Sequence, residues 1–280
     1  MYRSKWLIGV IFWAIAVLAC QGCGKRYDRT ITIYSSQTMA PFIEQCAEEY
    51  MKGRSVKIVV VPAESIAAIE ALVQGKCAIA AASCRMPQIY AFEGAKKGIV
   101  AKEYVLGYDV MLIIVHPSNK INNLFLGQVA DMYRGLLKDW KEAEGAAGLI
   151  VPVDRDARSG ARMAMHERFF ELTESKATVA KKSNGDVAEY VSHHRNAIGY
   201  VSRSSRPQGV KAISINGIRP TDENVEKGYY PLRRDLYVYG DEKRLDTEAV
   251  TFIDYMCGSR GRALLRQAGF VPPDGQNNVP

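Results

Sequence analysis

The 280-residue chain is short of the residues and spacings that most catalysts need. It has no Gly-x-Ser-x-Gly elbow, no His-Glu-x-x-His pair and no glycine-rich loop ending in Lys-Ser/Thr. Serine-hydrolase, zinc-protease and P-loop chemistry therefore have no footing in it. Histidine is scarce, at four residues. His193 and His194 are adjacent, so they point in different directions on a helix or a strand, and no third ligand stands near them in sequence. His116 ends an apolar run and reads as structural or exposed. The six cysteines show no zinc-site spacing. Cys46, Cys77 and Cys257 lie in apolar contexts and read as small buried hydrophobes. No dense Lys/Arg block interleaves with aromatics, which argues against nucleic acid as a partner. Repeats and low-complexity tracts are absent too, and nothing in the chain asks for a cofactor.

The N-terminus carries a targeting signal. Residues 1–5 are short and basic, and Trp6–Ala19 is an apolar run of secretory length. That run is shorter than the roughly 20 apolar residues a membrane span needs. It ends Val17-Leu-Ala-Cys20, the form of a bacterial lipobox, so residues 1–19 read as a lipoprotein signal peptide with Cys20 as the lipidated residue and Cys23 as a competing site. The chain is thus expected to be periplasmic or at the cell surface, anchored to the membrane by lipid. Losing Arg3 and Lys5 with the signal lowers the formal net charge from +7 to +5 (7 − 2). A mild positive excess suits an anionic ligand or an anionic surface.

Strand and helix patterns alternate, giving an α/β chain with mostly parallel crossovers. Strands are expected at 29–34, 56–61, 78–82, 105–116, 149–153, 198–201, 210–215 and 232–239. Helices are expected at 41–51, 65–75 with Ser65 as N-cap, 127–137, after Ser159, and as one long final helix over 247–268. Trp140 reads as a packing anchor.

Two segments carry the chemistry. Val151–Phe170 begins as a strand, reaches Arg155-Asp-Ala-Arg-Ser-Gly160, and opens a helix. Free N–H groups at a helix start, a hydroxyl at the cap and a guanidinium alongside make an oxyanion trap. Ile31–Pro41 repeats that logic, with a strand running into Ser35-Ser-Gln-Thr-Met-Ala-Pro41. Two such ends, more than a hundred residues apart, meet only if the chain builds two facing lobes. Arg155 is poorly explained by core packing; Arg158 is more simply a solvated charge.

In order and spacing, these segments together with Ala78–Ser83, Leu126–Trp140, Ala197–Val201, Arg219–Leu232, Phe252–Gly261 and Gly269–Pro273 resemble the phosphate-binding proteins of bacterial ABC importers. The resemblance spans nearly all of the chain after the signal. It implies a type II periplasmic-binding-protein fold, two α/β lobes with a hinge between them. Lobe I would comprise 20–110 and 229–280, and lobe II 111–228. It implies capture of inorganic phosphate by Ser36, Thr38, the Met39 amide, Ser65 and Ser83 from lobe I, and by Arg155, Ser159 and the Gly160 amide from lobe II. The implied partners are the membrane subunits of an ABC permease; no catalysis and no metal are implied. Five or six charge-assisted hydrogen bonds of about 1.5–3 kcal/mol, offset by closure and desolvation, reach the roughly 8 kcal/mol of a micromolar site.

The chain departs from the family in two places. Where the family's strand begins with Asp, which accepts the proton of hydrogen phosphate, this chain has Ala78; where the family reads Ser-Gly-Thr, it has Ala161 in third place. The Ser83-Cys84-Arg85 turn is also one residue longer than usual. A carboxylate in the site repels a fully deprotonated dianion unless a proton lies between them. Its loss leaves three readings open: phosphate, another tetrahedral oxyanion such as sulfate, or a sensory or interaction lipoprotein with a degenerate cleft.

Overall fold

The computed structural model describes residues 27–166, 175–205 and 207–273. The signal sequence, Cys20 and Cys23 lie outside them. Along the chain run β1 (Arg29–Ser36), α1 (Ala40–Tyr50), β2 (Val56–Ala63), α2 (Ser65–Val73), β3 (Ile79–Ala82), α3 (Gln88–Lys96) and β4 (Ala101–Val115). Next come β5 (Asn123–Leu124), α4 (Leu126–Arg134), β6 (Val151–Arg155), α5 (Gly160–Met163), β7 (Val179–Lys181), α6 (Asn184–His193) and β8 (Ala197–Ser202). The chain closes with β9 (Lys211–Ala212), β10 (Ser214–Ile215), α7 (Asp222–Glu226), β11 (Arg233–Asp241), α8 (Thr247–Cys257) and α9 (Ser259–Gln267).

The strands order as β2-β1-β3-β11-β4-β8-β6-β7, with β9 also on β4. At one end β2, β1 and β3 are parallel, and at the other β8, β6 and β7 are parallel. The antiparallel pairings all involve β4 or β11. The expectation of mostly parallel crossovers therefore holds inside each lobe and fails between them, because these two strands carry the chain across and back. The first part of β4 pairs with β11, and Met111–Val115 pairs with β8.

Core packing follows the same division. Buried apolar residues up to Leu106 and from Leu236 to Phe270 form two clusters in lobe I, while Val110–Leu232 supplies nearly all of the lobe II cluster. In lobe II, Trp140 is buried and donates its indole N–H to the Asn196 carbonyl. Cys46, Cys77 and Cys84 are buried and Cys257 partly so, all as free thiols.

Three local expectations change. The final helix is broken at Gly258, whose extended backbone ends α8 and starts α9. A Cβ on Gly261 would lie 2.1 Å from the Met256 carbonyl oxygen, so the tight corner needs glycine there. The stretch 210–215 splits into β9 and β10, which pair with different partners. And Glu64, not Ser65, holds the N-cap position of α2.

Candidate functional site

In each lobe the parallel strands end at the same edge, and the two edges meet. In open parallel sheets, ligands bind beyond the carboxyl ends of the strands. Here β1 ends at Ser36, β2 at Ala63 before Glu64 and Ser65, and β3 at Ala82 before Ser83. From the other lobe β6 ends at Arg155, β7 at Lys181 before Ser183, and β8 at Ser202 before Ser204. Between them lies a cavity of about 230 Å³ bordered by Ser36, Thr38, Glu64, Ser65, Ser83, Arg155, Ser159, Gly160, Ala161, Ser183, Asn184, Ser204 and Ser205, among others.

Seven of the expected residues therefore meet there. Met39 does not. Its side chain is fully buried in lobe I, and its amide N–H already donates to the Ser36 carbonyl at 2.9 Å. That bond closes the turn leading into α1. The hydroxyls before α1 do not cap it through their side chains. Among the described residues, the Ser36 hydroxyl is the buried side-chain polar atom without a hydrogen-bond partner. Ser65 and Ser83 bond to each other at 3.1 Å, and the Ser65 hydroxyl also accepts the Ser83 amide at 3.2 Å. Ser65 thus acts as a bridge between α2 and β3, not as a cap.

Arg155 is buried and held on three sides. Its Nε donates to the Lys181 carbonyl at 3.2 Å, Nη1 to Asn184 Oδ1 at 3.0 Å and Nη2 to the Lys182 carbonyl at 2.7 Å. A guanidinium has five N–H groups, so two remain for a ligand. Burial holds the Arg155 pKa below its ordinary value, and Glu64, 4.0 Å from Nη2, offsets only part of that. Burial raises the Glu64 carboxyl above its ordinary range, and Arg155 opposes that shift. Behind Arg155, Asp154 accepts its amide N–H, the Tyr200 hydroxyl and a His166 contact at 3.1 Å. Burial pushes the Asp154 carboxyl up, but the His166 and Tyr200 hydrogen bonds outweigh it and hold the pKa below the usual value.

Ser159 caps α5, its hydroxyl accepting the Arg162 amide at 3.4 Å. Gly160 follows because the lobes touch here. A Cβ on it would come within 2.3 Å of the Ser65 hydroxyl and 2.8 Å of the Ser83 hydroxyl. Arg158 is exposed, yet its Nη2 reaches Glu70 on lobe I at 2.6 Å, and Tyr90 donates to the same carboxylate at 3.1 Å. The expectation of a solvated charge gives way to an ion pair across the mouth of the cleft.

Sequence reading missed Glu64, Ser183, Asn184, Ser204 and Ser205. Ser183 and Asp186 form a capping box at the start of α6, a Ser-x-x-Asp pattern visible in the sequence. With it, the N-termini of α1, α2, α5 and α6 all border the cavity. Helix starts carry N–H groups without intrahelical partners and a positive dipole end, both of which favour an anion. Ala161 lines the cavity, whereas Ala78 does not. Ala78 lies before the far end of β3, five residues from Ser83, so roughly 17 Å of extended chain separates it from the site. A carboxylate there would not reach the ligand, and the selectivity drawn from its absence is withdrawn. The acid in this cleft is Glu64. Neither His193 nor His194 contributes: both are exposed at the end of α6, and the His194 ring stacks on Tyr190. The described residues contain no group of metal-binding side chains.

This architecture defines a class of two-lobed binders, and the chain belongs to the PBP superfamily, whose domain model matches residues 24–260. A phosphate-binding protein PstS of Borreliella burgdorferi is 26% identical over 95% of this chain and 98% of its own length. A putative phosphate ABC transporter substrate-binding protein from Clostridium perfringens, solved with bound phosphate, superposes with a TM-score of 0.77. It is 28% identical, over 87% of this chain and 99% of its own. An ABC-type phosphate transport receptor from Vibrio cholerae gives 0.76 at 26% identity, over 87% and 100%.

Proposed function

We propose that this protein is an extracytoplasmic solute-binding lipoprotein that captures inorganic phosphate between its lobes and presents it to an ABC permease. The observation that carries this reading is Arg155, caged by three acceptors at the edge of a cavity where four helix N-termini and hydroxyls from both lobes converge. In it, lobe I (20–110 and 229–280) offers Ser36, Thr38, Ser65 and Ser83, and lobe II (111–228) offers Arg155, Ser159 and the Gly160 amide. Ser183, Ser204 and Ser205 are added from the geometry. A populated pocket of this kind speaks against a degenerate cleft. The hydroxyls, helix dipoles, arginine and single carboxylate of the site suit holding a protonated oxyanion.

Glu64 supplies the selectivity between phosphate and sulfate. Hydrogen phosphate has a proton to give to a carboxylate, whereas sulfate at neutral pH has none and meets only repulsion. Calorimetric titration of the purified protein with phosphate and with sulfate tests the reading. Micromolar or tighter phosphate binding with sulfate excluded supports it; equal binding of both makes the protein a broad oxyanion receptor, and binding of neither removes the transport role. Mass spectrometry of the membrane-extracted protein tests diacylglyceryl modification at Cys20 against Cys23.

A further inference from the structure

Beneath the cavity, where β4 and β11 cross between lobes, two opposite charges are completely buried. Asp109 and Arg234 face each other in register, at 0% and 1% exposure. Arg234 donates from Nε at 2.9 Å and from Nη2 at 2.6 Å to Asp109 Oδ2. Its remaining terminal nitrogen, Nη1, donates to the Ser83 carbonyl at 3.3 Å. On the other side Asp109 Oδ1 accepts the Ser202 hydroxyl at 2.5 Å, and Ser202 bonds the Ser204 hydroxyl at 2.6 Å and accepts the Ser204 amide at 3.1 Å. One continuous line of hydrogen bonds thus runs from Ser83 of lobe I to Ser204 of lobe II, through both crossing strands. Both ends of the line border the cavity.

We infer that Asp109 and Arg234 are a positioning pair that fixes the ligand-bordering serines of the two lobes relative to one another and holds the pivot of the hinge. Burying two full charges is costly, and an apolar pair of similar volume often serves stability as well or better. What an apolar pair lacks is direction. The planar guanidinium holds a carboxylate on two nitrogens and the Ser83 carbonyl on a third, and the second carboxylate oxygen holds Ser202. Ser83 then sits where its hydroxyl and amide meet Ser65, and Ser204 sits at the opposite wall. The inference rests on the anion-binding reading for its effect on affinity, but not for its effect on local order.

Arg234→Lys and Ser202→Ala separate positioning from plain stability. The lysine keeps the charge beside Asp109 but cannot span Asp109 and the Ser83 carbonyl as the planar fork does; the alanine cuts the line on the lobe II side and leaves the ion pair whole. In each variant that melts as a single cooperative unit, the phosphate Kd is expected to rise about 10-fold. Amide hydrogen exchange without ligand is expected to quicken at both 83–85 and 202–205, whichever end was cut, with the lobe cores unchanged. Folded variants with the wild-type Kd, or exchange that quickens only at the cut end, would overturn the inference and leave an ordinary buried ion pair. If the wild-type protein binds no phosphate, the transport reading fails by itself, and exchange at the uncut end alone decides whether the line couples the lobes.

Discussion

The two walls of the cleft are built on different principles. Lobe I presents hydroxyls and a carboxylate: Ser36, Thr38, Ser65, Ser83 and Glu64. Lobe II presents the arginine and a second set of serines, and each lobe adds two helix starts. On lobe I, Ser65 and Ser83 are tied to each other and the Ser36 hydroxyl has no partner among the described residues, whereas the lobe II guanidinium is tied to backbone carbonyls that cannot swing away. The difference implies a division of labour. On the proposed reading, lobe II would set how strongly an anion is drawn, and lobe I which anion is kept.

Removing the arginine should break that division most severely. Arg155→Ala is expected to weaken phosphate binding at least about 100-fold, near 3 kcal/mol, since charge-assisted hydrogen bonds and a buried monopole go together. Calorimetry checks it, and a loss under tenfold would mean that dipoles alone draw the ion. Next in size is Ser36→Ala on lobe I. Because the Ser36 hydroxyl has no partner among the described residues, its loss should cost about tenfold in affinity while leaving the melting temperature of the ligand-free protein within a degree or so. A large drop in stability would instead make Ser36 structural.

Glu64→Gln should sharpen the contrast through selectivity. Sulfate binding is expected to strengthen several-fold and phosphate binding to weaken, narrowing the ratio measured by competition. Its pH signature is separate. The folded Glu64 carboxyl titrates above its unfolded value, so the stability linked to it is present below the unfolded pKa and is lost as pH rises through the folded pKa. Asp154 runs the other way: its folded pKa is depressed, so its contribution is present above the unfolded pKa and is lost as pH falls through the folded value. Thermal melts across that acid range should lose the first slope in Glu64→Gln and the second in Asp154→Asn. The smallest effect belongs to Arg158→Ala. An exposed ion pair across the mouth is worth about 0.2–1 kcal/mol, so phosphate affinity should fall less than about fivefold, and only at low salt.

The parts of the site legible in the sequence were those with a local signature. Arg155 stands out because a strand-end arginine before a Ser-Gly helix start is poorly explained by core packing, and Ser36 and Thr38 because hydroxyls cluster between a strand and Pro41. Glu64 and Ser204 were not legible, since nothing in their neighbours shows that β2 and β8 end at one edge. Asp109 and Arg234 lie more than a hundred residues apart and read separately as breaks in hydrophobic strands; only the antiparallel register of β4 against β11 makes them a pair. Met39 failed for a local reason, because a four-residue turn had already claimed its amide. The final helix failed at Gly258, where periodicity continues through a residue whose backbone does not.

The free cysteines have a bearing on life outside the cytoplasm. Burial drives the Cys46 thiol up to about 12 and those of Cys77 and Cys257 to about 11. For a pKa near 11, on the order of one molecule in 10⁴ carries a thiolate at neutral pH, and the thiolate is the form that attacks oxidants and disulfides. Once folded, Cys46, Cys77 and Cys257 would therefore meet an oxidising compartment almost entirely as thiols, slow to enter disulfide exchange.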